Sequence, residues 1–127
     1  PKFIKAALLD QPIVVYGTGK QTRCFADVSD VVDAFIKLMN TPRCVGEIFN
    51  VGTTESISIE DLAKKVKEMC DSKSRIEYMS YEEAFEEGFE DMMNRMPCLD
   101  KVKEYIGYEP KYSLDDIIRR MIEYYEK

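Results

Sequence analysis

The chain has 127 residues, with 18 Lys and Arg against 24 Asp and Glu for a formal charge of −6, and it contains no His. That length holds one core of ordinary size without metal or disulfide staples, and no apolar run approaches the roughly 20 residues of a membrane span. A net acidic chain without a basic stripe excludes a duplex-binding surface, and the lack of His removes both the usual near-neutral acid-base group and the commonest zinc ligand.

Phe3, Ile4, Ala7 and Leu8 repeat at helical spacing until Gln11-Pro12 ends the pattern. Ile13 to Tyr16 reads as a short apolar strand and Gly17-Thr18-Gly19-Lys20 as a turn. Thr22 to Val28 then reads as a second strand with Arg23, Phe25 and Asp27 on one face. Ser29 or Asp30 is the expected cap of a helix whose stripe is Val31, Val32, Phe35, Ile36, Leu38 and Met39, and Asn40-Thr41-Pro42 stops it. A third strand is expected over Glu47 to Val51. Ser58 opens a long helix with Ile59, Leu62, Ala63, Val66 and Met69 inward and Glu60/Lys64 and Asp61/Lys65 paired on its surface. Arg75 to Met79 reads as a strand, and Ser80 to Pro97 is irregular. Leu99 to Ile106 is a short helix stopped by Gly107. Ser113 caps the last helix, with Asp115 and Asp116 in its first turn and Leu114, Ile117, Ile118, Met121, Ile122 and Tyr125 on one face.

Two motif matches fail on physical grounds. Gly17-Thr18-Gly19 resembles the start of a dinucleotide fingerprint, but a phosphate cradle needs a helix N-terminus next, and the residues that follow read as strand. Tyr16 and Lys20 have the spacing of a helical Tyr-x-x-x-Lys pair, yet the two glycines between them make a helix implausible. The acidic residues Glu82, Glu83, Glu86, Glu87, Glu90 and Asp91 lack the Asp/Asn-rich loop and glycine of a calcium site and read as a solvated face. Cys24, Cys44, Cys70 and Cys98 are widely spaced, without a Cys-x-x-Cys pair, and are expected to be reduced thiols in a cytoplasmic protein. No metal site and no catalytic residue is expected within the chain.

The run Pro12-Ile-Val-Val-Tyr-Gly-Thr-Gly-Lys-Gln-Thr-Arg-Cys-Phe-Ala-Asp-Val-Ser-Asp-Val-Val-Asp-Ala34 is followed in order by Glu47-Ile-Phe-Asn-Val-Gly52, Arg95-Met-Pro97, Ile106-Gly-Tyr-Glu-Pro110 and Ser113-Leu-Asp. Together these resemble the extended short-chain dehydrogenase/reductases that act on nucleotide-sugars, a family of UDP-glucose 4-epimerases, dTDP-glucose 4,6-dehydratases and UDP-glucuronate decarboxylases. The resemblance covers nearly the whole chain and implies an α/β fold. It matches the C-terminal, substrate-binding portion of such enzymes. The chain begins at Pro1 and a helical pattern starts at once, so the expectation is a piece of a longer protein.

By that resemblance the parent binds NAD, oxidises the sugar C4 hydroxyl and returns the hydride after epimerisation, elimination or decarboxylation; the residues of this chain do not choose among these, and the single expectation is a UDP-glucose 4-epimerase-like activity. Residues 1–127 would hold the nucleotide-sugar and bind no NAD themselves, the dinucleotide domain lying outside the chain. Backbone groups around Val14 and Tyr16 would meet the base, and Arg23 and Arg95 the pyrophosphate, where a guanidinium offers bidentate contacts. Cys24 and Cys98 depart from the family pattern, the latter replacing the Asp of Arg-x-Pro-Asp. The competing reading is a non-catalytic interaction module with an acidic face. The apolar helix at Val31 to Met39 and the strands at Ile13 to Tyr16 and Ile48 to Val51 exceed what one core covers. They are therefore expected to pack on the dinucleotide domain or, without it, to drive homo-oligomerisation. Neither nucleic acid nor membrane is an expected partner.

Overall fold

A computed structural model describes residues 1–84 and 91–127. It is mixed α/β, as the residue pattern predicts. The elements are α1 (Lys2–Leu8), β1 (Ile13–Tyr16), β2 (Thr22–Cys24), α2 (Val28–Met39), a 3-10 turn (Pro42–Cys44), β3 (Ser56–Ser58), α3 (Ile59–Met69), β4 (Ile76–Met79), α4 (Tyr81–Ala84), α5 (Asp100–Ile106) and α6 (Leu114–Tyr125). β1 pairs in parallel with β4, with Ile13 opposite Ile76 and Tyr16 opposite Met79, and β2 pairs with β3. The described residues fall into two compact units.

The first unit holds residues 1–23, 57–95 and 118–127. β1 is an apolar run because it is covered: Ile13 and Val15 have no exposed surface, with α1 and α3 packed against the strand. α1 contributes Ile4 and Ala7, and α3 contributes Ala63 and Val66. The expectation that this strand exceeds the chain's own core is therefore corrected, since two helices of the same unit bury it. Ser58 caps α3 by accepting from Asp61 N at 3.0 Å, and Lys64 pairs with Glu60 at 2.9 Å. Asp10 latches the end of α1 to the turn before β4, its Oδ1 accepting Lys73 N at 2.7 Å and Ser72 Oγ at 3.0 Å. Those two donors hold the Asp10 carboxyl below its ordinary range.

The second unit holds residues 24–56 and 96–117. Its core is Ala34, Val102 and Tyr108, with Leu38, Phe49, Val51, Leu99 and Ile106 against it, and the Tyr108 hydroxyl donates to Gly52 O at 2.7 Å. β2 stops at Cys24 rather than Val28, because Asp27 turns into the N-cap of α2 and accepts Ser29 N at 2.8 Å. The cap is thus neither Ser29 nor Asp30. Starting α2 at Val28 swings Asp30 inward to 2% exposure, where its Oδ2 accepts from the backbone N–H groups of Lys111 at 3.0 Å and Tyr112 at 3.2 Å.

Glu47 to Val51 forms no strand. A strand needs a ladder partner, and none is offered to it among the described residues. Phe49 and Val51 instead plug the core, while Ile48 is exposed. The apolar face of α2 remains open at Val28, Val32, Phe35, Ile36 and Met39. α5 begins at Asp100 and is stopped after Ile106 by Gly107 in the left-handed conformation, and the reciprocal bonds of Ser113 and Asp116 open α6 as its sequence predicts.

Among the described residues all four cysteines are free thiols, no three His, Cys, Asp or Glu side chains group as metal ligands, and no helix is long and apolar enough to cross a membrane. Glu86, Glu87 and Glu90 of the acidic run lie outside the described residues.

Candidate functional site

β1 leads into a turn that only glycine permits at two positions. Gly17 and Gly19 have φ of 64° and 71°, and a Cβ on Gly17 would lie 2.4 Å from the Tyr81 ring. A Cβ on Gly19 would lie 2.8 Å from Val15 Cγ1. The first N–H groups of α3 close onto this turn, Glu60 N donating to Gly19 O at 2.9 Å and Ile59 N to Gln21 O at 3.0 Å. The chain then enters β2, so the turn does not open a helix and Tyr16 and Lys20 share no helix face.

The turn sets Gln21, buried at 5% exposure, beneath the end of β1. Its Nε2 donates to Tyr16 O at 3.0 Å and to Tyr81 Oη at 2.9 Å, and the Tyr81 hydroxyl donates to Asp91 Oδ2 at 3.2 Å. Burial, with the Asp91 carboxylate beside it, pushes the Tyr81 hydroxyl pKa above its ordinary value. Asp91 Oδ1 accepts from Arg23 Nη2, while Arg23 Nη1 donates to Thr22 O at 2.6 Å and Met92 O at 2.8 Å. Residues 92–94 run beside β2, with Thr22 N donating to Met93 O at 2.7 Å and Thr22 Oγ1 to Asn94 Oδ1 at 3.0 Å. That pairing delivers Arg95 to the same place.

The result is an open cleft of about 300 Å³ within the first unit, lined by Val14, Tyr16, Arg23 and Arg95 together with Phe3, Gln21, Ile59, Tyr81 and Asp91. All four residues singled out in the sequence therefore share one cleft. Val14 and Tyr16 are the alternate, half-buried positions of β1, opposite in parity to Ile13 and Val15. Ile13 N and Gly17 N donate to the chain around β4, so the backbone N–H and C=O of Val14 point to the other edge of β1. No strand pairs with that edge among the described residues.

The guanidinium of Arg23 carries five N–H donors and uses three, leaving Nε–H and one Nη2–H without a partner among the described residues. Arg95 is exposed and makes no hydrogen bond or ion pair among the described residues. A half-buried strand edge and two arginines thus face one polar and apolar cleft at the lower end of the size range of small-molecule sites. Gln21, Tyr81 and Asp91 were not singled out in the sequence. Gln21 lies inside the strand–turn–strand motif, but nothing local couples it to Tyr81 or Asp91, which are 60 and 70 positions away.

Residues 1–121 match the family described as GDP-mannose 4,6 dehydratase. The UDP-N-acetyl-alpha-D-glucosaminuronate decarboxylase of Bacillus cytotoxicus is 37% identical over 127 residues, all of this chain and 39% of that protein. UDP-glucuronic acid decarboxylase 2 of Arabidopsis thaliana is 40% identical over 112 residues, 88% of this chain and 23% of that protein. Among solved structures, the UDP-glucose 4-epimerase of Thermotoga maritima with UDP-glucose superposes with a TM-score of 0.85 at 27% identity, over 98% of this chain and 38% of that one. The chain therefore spans well under half the length of these relatives.

Proposed function

We propose, from the premise that the chain belongs to the GDP-mannose 4,6-dehydratase family of NAD-dependent nucleotide-sugar epimerases, dehydratases and decarboxylases, that it is the C-terminal, nucleotide-sugar-binding part of a UDP-uronate decarboxylase. The observation that carries the reading is the meeting of Val14, Tyr16, Arg23 and Arg95 in one cleft. On the open edge of β1, Val14 offers a backbone donor and acceptor side by side, which complements the adjacent N–H and C=O of a uracil ring. Arg23 and Arg95 hold the diphosphate. The Nε and Nη2 donors left on Arg23 match two oxygens of one phosphate, and Arg95 brings a cation with no counter-ion among the described residues.

NAD supplies oxidation and reduction in this family; the Gly17–Gly19 turn leads to a strand rather than to the helix N-terminus that a dinucleotide pyrophosphate uses, which supports a site for it elsewhere. The proposal places that site in a dinucleotide-binding domain outside this chain, packed on the open apolar face of α2. The role of these residues is to bind and orient the substrate, and no bond-making step is assigned to them.

Decarboxylation is favoured over C4 epimerisation because both curated relatives described above are decarboxylases of UDP-linked uronic acids. Epimerisation is the second reading, supported by the Thermotoga structure. Incubating the full-length protein with NAD and either UDP-glucuronate or UDP-glucose, followed by NMR of the products, separates them. Release of carbon dioxide and a UDP-pentose is expected; C4 inversion of UDP-glucose without turnover of the uronate supports epimerisation instead.

A further inference from the structure

The hydrogen bonds around Arg23 form one connected line that converges on Asp91. The Gln21 amide is anchored on the Tyr16 carbonyl of β1 at 3.0 Å and donates to Tyr81 at 2.9 Å. Tyr81 donates to one oxygen of Asp91 at 3.2 Å, and Arg23 donates to the other. Each polar group is thus oriented by the one before it. The line starts on a strand with two fully buried residues and ends on a guanidinium in the cleft. Gly17 belongs to the same device, since its missing side chain leaves room for the Tyr81 ring.

We infer that Gln21, Tyr81 and Asp91 are positioning residues that fix the Arg23 guanidinium for a nucleoside diphosphate. The inference rests on the substrate-binding reading above. An unsupported arginine on a three-residue strand samples many rotamers, and each one lost on binding weakens affinity. Here the carboxylate of Asp91 and the carbonyls of Thr22 and Met92 hold the fork before any ligand arrives, and two donors have no partner among the described residues. Asp91 is itself held from behind by Tyr81, so its oxygen stays directed at Arg23. Preorganised polar networks of this kind act through geometry, with the pieces supporting one another.

A competing effect has the opposite sign. The Asp91 charge repels an anion, so if charge dominated, removing it would tighten diphosphate binding. The variants Asp91→Ala, Asp91→Asn and Tyr81→Phe in the full-length protein separate the two, with UDP and uridine as probes in calorimetry. Geometry predicts that Asp91→Ala lowers UDP affinity about tenfold with uridine affinity within about twofold. Asp91→Asn, which keeps an acceptor for Arg23, stays within about threefold of the wild type for UDP, and Tyr81→Phe falls about threefold.

Tighter or unchanged UDP binding by Asp91→Ala overturns the inference. So does an equal loss in Asp91→Asn, because an acceptor kept for Arg23 then fails to preserve the site. A parallel loss of uridine affinity also overturns it, because it marks a general disturbance of the fold. Absence of UDP binding by the wild-type protein removes the substrate-binding reading first and this inference with it.

Discussion

Replacing Gly17 with Ala tests how the turn and the site are built into one another. The residue has φ of 64°, a conformation that costs an L-residue roughly 1–2 kcal/mol. The new methyl would lie 2.4 Å from Tyr81 Cε2, where ordinary contact begins at 3.4 Å, so the ring must move by about an ångström. That displacement breaks the bonds Tyr81 makes with Gln21 and Asp91, at about 1 kcal/mol each. The total is about 3 to 4 kcal/mol, to be read from urea denaturation of the full-length protein with the slope unchanged. In a Tyr81→Ala background the clash and both bonds are already gone, so Gly17→Ala should then cost only about 1 to 2 kcal/mol. An equal cost in both backgrounds refutes the packing argument, and a cost below about 1 kcal/mol in the wild type refutes the claim of backbone strain.

Asp30→Ala should destabilise by about 3 kcal/mol in the same assay, because it leaves the backbone N–H groups of Lys111 and Tyr112 without their buried acceptor. A loss below about 1 kcal/mol contradicts that role. Asp10 contributes through a lowered carboxyl pKa, caused first by the Lys73 backbone N–H and then by Ser72. Its stabilisation is therefore present above the unfolded carboxyl value of 3.8 and is lost as pH falls through the lower folded value. Stability measured against pH should decline less steeply below 3.8 in Asp10→Asn than in the wild type, and identical acid limbs contradict this.

What the sequence made legible followed the range of the interactions. β1, α3 and α6 are set by local periodicity and by caps within three residues, as at Ser58/Asp61 and Ser113/Asp116, and they form where the pattern places them. The start of α2 is not decided locally, because Asp27, Ser29 and Asp30 are all good caps. Only the pull of Lys111 and Tyr112 on Asp30, from 81 and 82 positions away, decides between them. Glu47 to Val51 has strand composition without a strand, since β structure depends on a partner and Phe49 and Val51 find the core instead. Family motifs drew attention to Val14, Tyr16, Arg23 and Arg95. The Gln21–Tyr81–Asp91 line is out of local reach, because the links Gln21–Tyr81 and Arg23–Asp91 span 60 and 68 positions and Tyr81 and Asp91 sit in a segment that reads as irregular and acidic.

In the proposed function Arg23 and Arg95 bind the diphosphate of a nucleotide whose base lies on the edge of β1. Calorimetric titration of UDP into the full-length protein and its Arg23→Ala and Arg95→Ala variants tests it most directly, with NAD titrated in parallel. Removing one charge-assisted contact costs about 1.5 to 3 kcal/mol, so each variant should bind UDP roughly ten- to a hundredfold more weakly while NAD affinity is unchanged. Unaltered UDP affinity in either variant, or an equal loss of NAD affinity, contradicts the account.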